Sequence, residues 1–196
     1  KAVRPTRDKV GLFATRTYLS YSKKGLSEKL LNNPFTFLQI INPNFNQKKT
    51  LKENQKFELI KKKYKSFLDQ EIINKDKERA FYIYYLNHEG NKYKGIIASA
   101  STEEYEKGVI KKHEKTLKKR EALFTEYLSK IKFNADPVLL SYKSNKKINT
   151  LIDKLSNGRA EYEFTTSNKA LHKLWIISNS KDILDIQNEF KKVNSL

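Results

Sequence analysis

The sequence predicts an α+β protein with a mixed, largely antiparallel sheet built from hairpins and with helices packed on it. Two pairs of short segments rich in aromatic and β-branched residues, each pair joined by a few polar residues, predict two β-hairpins. Segments with apolar residues at helical spacing lie before, between and after these hairpins. Because the order mixes hairpins with helices, a doubly wound parallel sheet is not expected.

Length and composition predict one domain spanning residues 1–196. The chain has 196 residues, of which 38% are hydrophobic, enough to build a core. No apolar run reaches the roughly eighteen residues of a membrane helix and no signal-peptide pattern opens the chain, so a cytoplasmic protein without a membrane partner is expected. The sequence has no cysteine, which excludes disulfides and thiolate zinc sites. The three histidines are scattered along the chain and do not favour a histidine-rich metal site, so any metal is expected to have oxygen ligands, such as magnesium bound with a phosphate.

The net charge of +18 makes nucleic acid a possible partner, because cations that neutralise phosphates release counterions. Only six of the forty cations are arginine, the residue most used for bidentate recognition of phosphate and guanine. The abundance of Lys, Asn and Ile is also typical of an AT-rich genome. Most lysines are therefore interpreted as a solvated surface, and nucleic acid is the less favoured partner.

The first fifty residues predict a basic opening, a short helix and a buried strand. Arg4 and Arg7 lie in an irregular segment, interpreted either as a charged edge over the core or as an anion-contacting arm. A short helix is expected around residues 26–31. The apolar run at residues 36–42 is bracketed by prolines and is interpreted as a buried strand.

A long amphipathic helix and the first hairpin follow. Thr50 and Glu53 form a capping-box signature. The apolar stripe of the helix then consists of Phe57, Ile60, Tyr64, Phe67 and Leu68. Residues 80–86 and 93–100 predict the first hairpin, with His88 as an exposed loop residue.

The second half predicts a similar mixture of elements. Ser101 and Glu104 form another capping box, which starts a short helix ended by Gly108. The remaining elements are a helix at 117–131, a strand at 137–142, a helix at 145–155, strands at 160–166 and 171–178, and a last helix capped by Ser180. On the strand at 171–178, His172 shares a face with Leu174 and Ile176. A histidine on an apolar face is more often a satisfied core residue than a functional one.

Residues 108–121 are the densest candidate for chemistry. His113, Glu114 and Thr116 are close enough in sequence to converge on one ligand. The cations around them are Lys111, Lys112, Lys115, Lys118, Lys119 and Arg120. The stretch precedes the N-terminus of the helix expected at 117–131, where backbone N–H groups and the helix dipole favour an anion. The alternative is that Thr116 is an N-cap and His113 a surface loop residue.

Several segments together resemble a bacterial protein family, the domain of unknown function 1015, and most closely its Bacteroidetes branch. They occur in the family's order and are AVRPTRDKV (2–10), NPFTFLQIINP (33–43), FYIY (81–84), GIIASASTEEY (95–105), IKKHEKTLKKREALF (110–124), FNADPVLLSY (133–142), AEYEFTT (160–166) and HKLW (172–175). One departure is Leu19, which stands where the family commonly has an aspartate. The resemblance covers essentially the whole chain and implies that it is the N-terminal portion of a longer family protein.

The resemblance also implies phosphoryl transfer. Beyond the region matched here, family members carry an Ala-Asp-Gly-His-His-Arg stretch similar to the phosphate-contacting motif of the ParB and sulfiredoxin-like fold. That group includes free-serine kinases, and family genes often neighbour those of phosphoserine synthesis. The expected partners are therefore a nucleotide, with magnesium as the implied cofactor ion, and serine, phosphoserine or a similar small metabolite.

Within that hypothesis each candidate residue has an expected role. Glu114 or His113 acts as the general base or orients the nucleophile, and Thr116 donates a hydrogen bond at the helix N-terminus. His172 completes the site if the second hairpin folds over this turn. The cations expected to contact the anion are Lys112, Lys119, Arg120, Arg4 and Arg7. The alternatives are a non-catalytic, ParB-like module that binds nucleic acid or another polyanion, and an inactive truncated fragment.

Overall fold

The computed structural model of the chain describes residues 1–45, 51–112, 117–135 and 137–193, apart from the side chain of Tyr18. The helices of this part are α1 Val10–Phe13, α2 Lys23–Asn32, α3 Leu38–Ile41, α4 Glu53–Asp69, α5 Thr102–Glu106, α6 Lys118–Ile131, α7 Lys146–Leu155 and α8 Ser180–Phe190. The strands are β1 Val3–Pro5, β2 Ile73–Lys75, β3 Phe81–His88, β4 Asn91–Ile97, β5 Tyr162–Thr165 and β6 Leu171–Ile177. They pair antiparallel in two sheets, so the predicted α+β fold is confirmed.

The structure contains two compact units, each with a hydrophobic core. The helical unit consists of Ala2–Asp76 and Lys118–Asn134, and the sheet unit consists of Lys77–Leu117 and Ala135–Leu196 together with Lys1. The interpretation of the chain as one domain stays a prediction. Among the helices described, none is long and apolar enough to cross a membrane.

The core of the helical unit forms around α4. Phe57, Ile60 and Phe67 recur at helical spacing and are buried together with Ile131 of α6. Tyr127, one turn before Ile131, meets the Phe57 ring edge-on at 5.9 Å between centroids. α6 is therefore packed on α4 through Tyr127 and Ile131.

The helical unit also contains a small sheet that the sequence did not predict. β1 pairs with β2, with Val3 opposite Lys75 and Pro5 opposite Ile73. Each strand has only three residues, and β1 lies in the opening segment that was interpreted as irregular. Strands of three residues are too short to show an alternating apolar pattern. Their pairing depends on contact between distant parts of the chain.

Two predicted strands are wrong. Residues 36–42 contain helix α3, whose Leu38 and Ile40 are buried. A short apolar run does not distinguish a buried strand from a buried helix by periodicity. Residues 137–142 form no strand, and Val138 and Leu139 are 81% and 93% exposed. A strand needs a neighbour for its backbone groups, and no described strand pairs with this segment.

The sheet unit consists of a four-stranded sheet with two helices packed on one face. The strand order is β4-β3-β6-β5, so both predicted hairpins are confirmed and their longer strands pair in the centre. Ile83 of β3 and Ile177 of β6 are buried against Ile148 and Ile152 of α7 and Ile186 of α8. The alternate residues of β3 and β6 point to the other face of the sheet, and His172 is one of them.

Side-chain caps define where the two helices of the sheet unit begin. The Asn145 side chain accepts hydrogen bonds from the N–H groups of Lys147 and Ile148 before α7. Asn179 does the same before α8, one residue earlier than the predicted cap Ser180. In the helical unit α4 begins at Glu53 with Lys52 as its N-cap residue, and the predicted cap Thr50 lies outside the described residues.

Candidate functional site

The first turn of α6 concentrates positive charge on the surface of the helical unit. Lys118, Lys119 and Arg120 are its first three residues and all are exposed. Within the described part of the chain, their side chains make no ion pair and no hydrogen bond. The N-terminal end of a helix already carries partial positive charge, so three cations there repel it and one another. Only Glu121 offsets this charge within the turn.

The remaining predicted anion-binding cations have different surroundings. In the sheet unit, the Lys112 ammonium lies 4.8 Å from the centre of the Tyr105 ring. In the helical unit, Arg4 Nε lies 2.7 Å from Asp76 Oδ1 and so links β1 to the residue that follows β2. Arg7 is exposed after β1. The charge of Arg4 is therefore already compensated, whereas Lys119 and Arg120 have no ion-pair partner among the residues that the structure describes.

His113, Glu114 and Thr116 lie outside the described residues. Their assignment as catalytic and phosphate-contacting residues stays a prediction. The described residues also contain no cluster of three or more histidine and carboxylate side chains that could hold a metal ion.

His172, the last predicted site residue, is a hydrogen-bonded member of the sheet unit. It lies on β6, half-buried, with the Phe164 ring of β5 stacked on its imidazole at 5.0 Å and an angle of 12°. Its Nδ1 is 2.7 Å from the Tyr84 hydroxyl of β3, and its Nε2 is 3.3 Å from Thr166 Oγ1 in the turn after β5. Both ring nitrogens therefore have partners.

Burial sets the protonation state of this network. Desolvation, with a smaller contribution from the charge of His88, lowers the pKa of His172, and burial raises the pKa of the Tyr84 hydroxyl. The imidazole is therefore neutral near pH 7, with one N–H donor and one acceptor nitrogen. The Tyr84 hydroxyl is likewise protonated.

The hydrogen bonds then have one consistent direction. Thr166 has a single hydroxyl hydrogen, which it donates to Asn168 Oδ1 at 2.6 Å, so it accepts from Nε2–H of His172. Nδ1 is left as the acceptor for the Tyr84 O–H. At the other end, the Asn168 amide donates to Nε2 of His88 at 3.5 Å. The chain of donors runs from Tyr84 of β3 through His172 of β6 and the turn after β5 to His88 of β3.

Four members of this network were not predicted as site residues. They are Tyr84, Thr166, Asn168 and His88, and His88 is the half-buried last residue of β3 rather than an exposed loop residue. The missing information was the pairing of β3 with β6, which sets Leu86 opposite His172 and so puts Tyr84 and His88 on the same face. Chemically, the raised pKa of Tyr84 and the lowered pKa of His172 both disfavour proton transfer to Nδ1, so the pair is a hydrogen bond between two neutral groups.

Comparison with known proteins identifies a family. Residues 1–196 match the family described as Protein of unknown function (DUF1015). The chain belongs to this family. The resemblance found in its sequence motifs is therefore confirmed, and DUF1015 membership extends through both units. No curated protein and no solved structure matches this DUF1015 chain significantly.

The His172 network predicts a pH-dependent stability. The pKa of His172 in the unfolded chain is about 6.5. In the folded chain this pKa is lower, because burial disfavours the imidazolium. Between these two pKa values the unfolded chain binds more protons. The contribution of His172 is therefore fully present above about pH 6.5, and the free energy of unfolding decreases as the pH falls toward the folded pKa.

Urea unfolding between pH 7.5 and 5.5, followed by the fluorescence of Trp175 on β6, measures this effect. His172→Gln, which keeps a donor and an acceptor but does not titrate there, should flatten the decrease. Tyr84→Phe serves as the control, because it removes one hydrogen bond worth about 1 kcal/mol and leaves the imidazole able to titrate. Equal pH slopes for the wild type and His172→Gln would contradict the assignment.

Proposed function

We propose that this chain belongs to a phosphate-handling enzyme that transfers a phosphoryl group between a nucleotide and serine, phosphoserine or a similar small metabolite. The observation that carries the proposal is the cationic first turn of α6, whose three cations have no counterion in the described part of the chain. Lys119 and Arg120 contact phosphate oxygens, with Lys118 beside them. The transferred group is negatively charged throughout the reaction, so the protein has to supply positive charge where it binds.

The other lysines on the helices support this interpretation by contrast. Many are paired with a carboxylate one turn away, as in Lys56 with Glu53 and Lys130 with Glu126. Such pairs are an ordinary way to balance a charged helix surface. Among the described residues, no carboxylate pairs with Lys118, Lys119 or Arg120 in this way. The partial positive charge of the helix end also repels these side chains. A bound phosphate would offset both the side-chain charge and the partial charge of the helix end.

First turns of other helices are cationic too, but α6 is the only described helix that begins with three cations in succession. Lys146 and Lys147 begin α7 and Lys23 begins α2, and all three are exposed and have no ion pair within the described chain. At these ends Asn145 accepts hydrogen bonds from two backbone N–H groups and Ser22 from one. Their cations are spread over two helix ends instead of being concentrated in one turn, which makes them matched controls for the α6 cations.

Binding measurements test the proposal directly. Lys118→Ala with Lys119→Ala and Arg120→Ala should weaken binding of magnesium ATP by about tenfold or more, equivalent to at least roughly 1.4 kcal/mol. The control variant Lys23→Ala with Lys146→Ala and Lys147→Ala removes the same charge and should change the affinity by less than about twofold. Isothermal titration calorimetry at physiological ionic strength gives both values. An equal loss in both variants would reduce the effect to net charge and reject the α6 site.

The remaining roles follow the sequence hypothesis. Glu114 or His113 is the general base, Thr116 donates to the phosphate, and Lys112 adds charge. Magnesium would enter with the nucleotide phosphates, as it commonly does in phosphoryl transfer. The role of His172 in completing the site stays a prediction, and both of its ring nitrogens are already hydrogen-bonded within the sheet unit.

The net charge of +18 favours one second candidate, a module that binds nucleic acid or another polyanion. Its affinity for DNA would fall steeply with salt, since each neutralised phosphate releases counterions. Fluorescence anisotropy with single- and double-stranded DNA at increasing salt separates the two functions. Micromolar binding that survives at physiological salt favours the second candidate, whereas binding only at low salt reflects the diffuse charge of the lysines.

A further inference from the structure

We infer that the outer edge of β4 is a docking site for an extended segment of a partner protein in which acidic and large apolar side chains alternate. β4 lies at one end of the strand order β4-β3-β6-β5, and it has seven residues without proline. Six of the seven are exposed, Ile96 being the exception. Among the described residues, β3 is the only strand paired with β4.

An edge strand of this length presents unused backbone groups. Along β4 the N–H and C=O groups that do not face β3 have no backbone partner within the described chain. An added antiparallel strand can satisfy them, and its main-chain hydrogen bonds supply affinity regardless of side chains. The opposite edge, β5, offers only four residues, so β4 is the better template.

The apolar side of the edge determines half of the partner's pattern. Tyr93 and Ile97 point to the same face as Gly95, and they are 60% and 41% exposed. A side chain at Gly95 would meet no atom within 4 Å, so there is open space above this glycine. Apolar residues opposite Tyr93 and Ile97, with an aromatic ring opposite Gly95, would cover this strip.

The charged side of the edge determines the other half. Lys92 and Lys94 point to the opposite face, and Lys94 Nζ lies 2.7 Å from Asp153 Oδ1 of α7. Lys92 has no ion pair within the described chain. Acidic residues placed opposite both lysines would form cross-strand pairs, whereas basic residues there would be repelled.

The same lysines disfavour a second copy of this chain as the occupant. In a two-fold antiparallel pairing centred on Tyr93, Lys92 of one chain lies opposite Lys94 of the other. Like charges directly opposite one another destabilise a strand pair, and both chains carry +18. Lysine on an edge is a known protection against self-association. The partner is therefore a different, acidic segment.

A synthetic peptide provides the probe. Acetyl-Val-Thr-Phe-Glu-Val-Glu-Thr-amide, aligned antiparallel, places its valines opposite Ile97 and Tyr93, its phenylalanine opposite Gly95 and its glutamates opposite the two lysines. Titrated into the isotope-labelled chain, it should shift the amide signals of β4. It should also slow hydrogen exchange at the β4 amides that do not face β3, while β5 is unaffected.

Matched controls keep the test specific. The same peptide with lysines for glutamates should bind at least about tenfold more weakly. Lys92→Glu, a substitution at an exposed position, should weaken binding of the glutamate peptide and strengthen binding of the lysine peptide. N-methylation of the peptide amides that face β4 should abolish binding, whereas N-methylation of the alternate amides, which face away from β4, should not. Equal affinity for both peptides, binding that survives both N-methylations, or no change at β4 would overturn the inference.

Discussion

Replacing His113 by alanine together with Glu114 by glutamine is expected to abolish phosphoryl transfer while leaving the melting temperature nearly unchanged. A general base contributes typically about 10²- to 10⁴-fold to a rate, so the loss of both candidates should reduce turnover by at least about 10²-fold. The substitutions remove a titratable ring and one negative charge. Because the sequence places both residues in a turn before a helix, no core packing is expected to be lost.

The measurement is transfer of the terminal phosphate of ATP to serine by the protein that carries this chain, with Tm determined in parallel. Glu106→Gln is the control, since Glu106 is exposed at the end of α5 and the chemical change is the same. Full activity is expected for it. A variant that loses activity together with several degrees of Tm would show that His113 and Glu114 are structural, and full activity in the double variant would remove them from the mechanism.

Phe67→Ala is expected to produce the largest loss of stability in the helical unit. Phe67 is 1% exposed, belongs to the core cluster with Ile72 and Ile73, and its ring lies 6.3 Å from that of Phe13. Removing a buried phenyl ring forfeits its transfer free energy and leaves a cavity that the surroundings only partly fill. The expected cost is about 3–5 kcal/mol, a large fraction of the stability of most domains.

Urea unfolding followed by far-ultraviolet circular dichroism measures this cost, because the unit is dominated by helices. Leu31→Ala removes a similar apolar side chain from α2, but Leu31 is 65% exposed. Its effect should stay within about 0.5 kcal/mol. A loss below about 1 kcal/mol for Phe67→Ala would mean that α4 is not packed through this face.

Much of the fold was predictable because its signals are local. The apolar stripe of α4, the residues of both hairpins and the Ser101 cap of α5 were all predicted from residues close in sequence. The turn between β3 and β4 is equally local, since Glu89 and Gly90 both have positive φ and suit a two-residue hairpin turn. Local patterns of this kind act before any distant contact forms.

The errors fall where distant contacts decide the conformation. Residues 36–42 were predicted as a strand, but form α3 next to a turn tied to α1, where Phe37 N–H donates to the carbonyl of Phe13. Residues 137–142 looked like a strand from composition alone, and no described strand pairs with them. β1 and β2 are the converse case, because three residues acquire strand pairing only through each other.

The candidate site shows the same division. The positive charge of Lys118, Lys119 and Arg120, and the helix they begin, were both readable in the sequence. The absence of a counterion for them among the described residues was not, because an ion pair depends on which side chains the folded chain brings near. The balanced charge of Arg4 with Asp76 is an example, since 72 residues separate the two.

By itself the sequence determined the family, the α+β class, the hairpins and longer helices, and the cationic first turn of α6, because all of these depend on residue types at short spacing. Only the tertiary structure decided that His172 is engaged at both ring nitrogens, that Tyr84 is its proton donor, and that β4 rather than β5 is the long open edge. Each of these depends on the pairing of β3 with β6, across a separation of 88 residues between Tyr84 and His172. No local pattern encodes such a register.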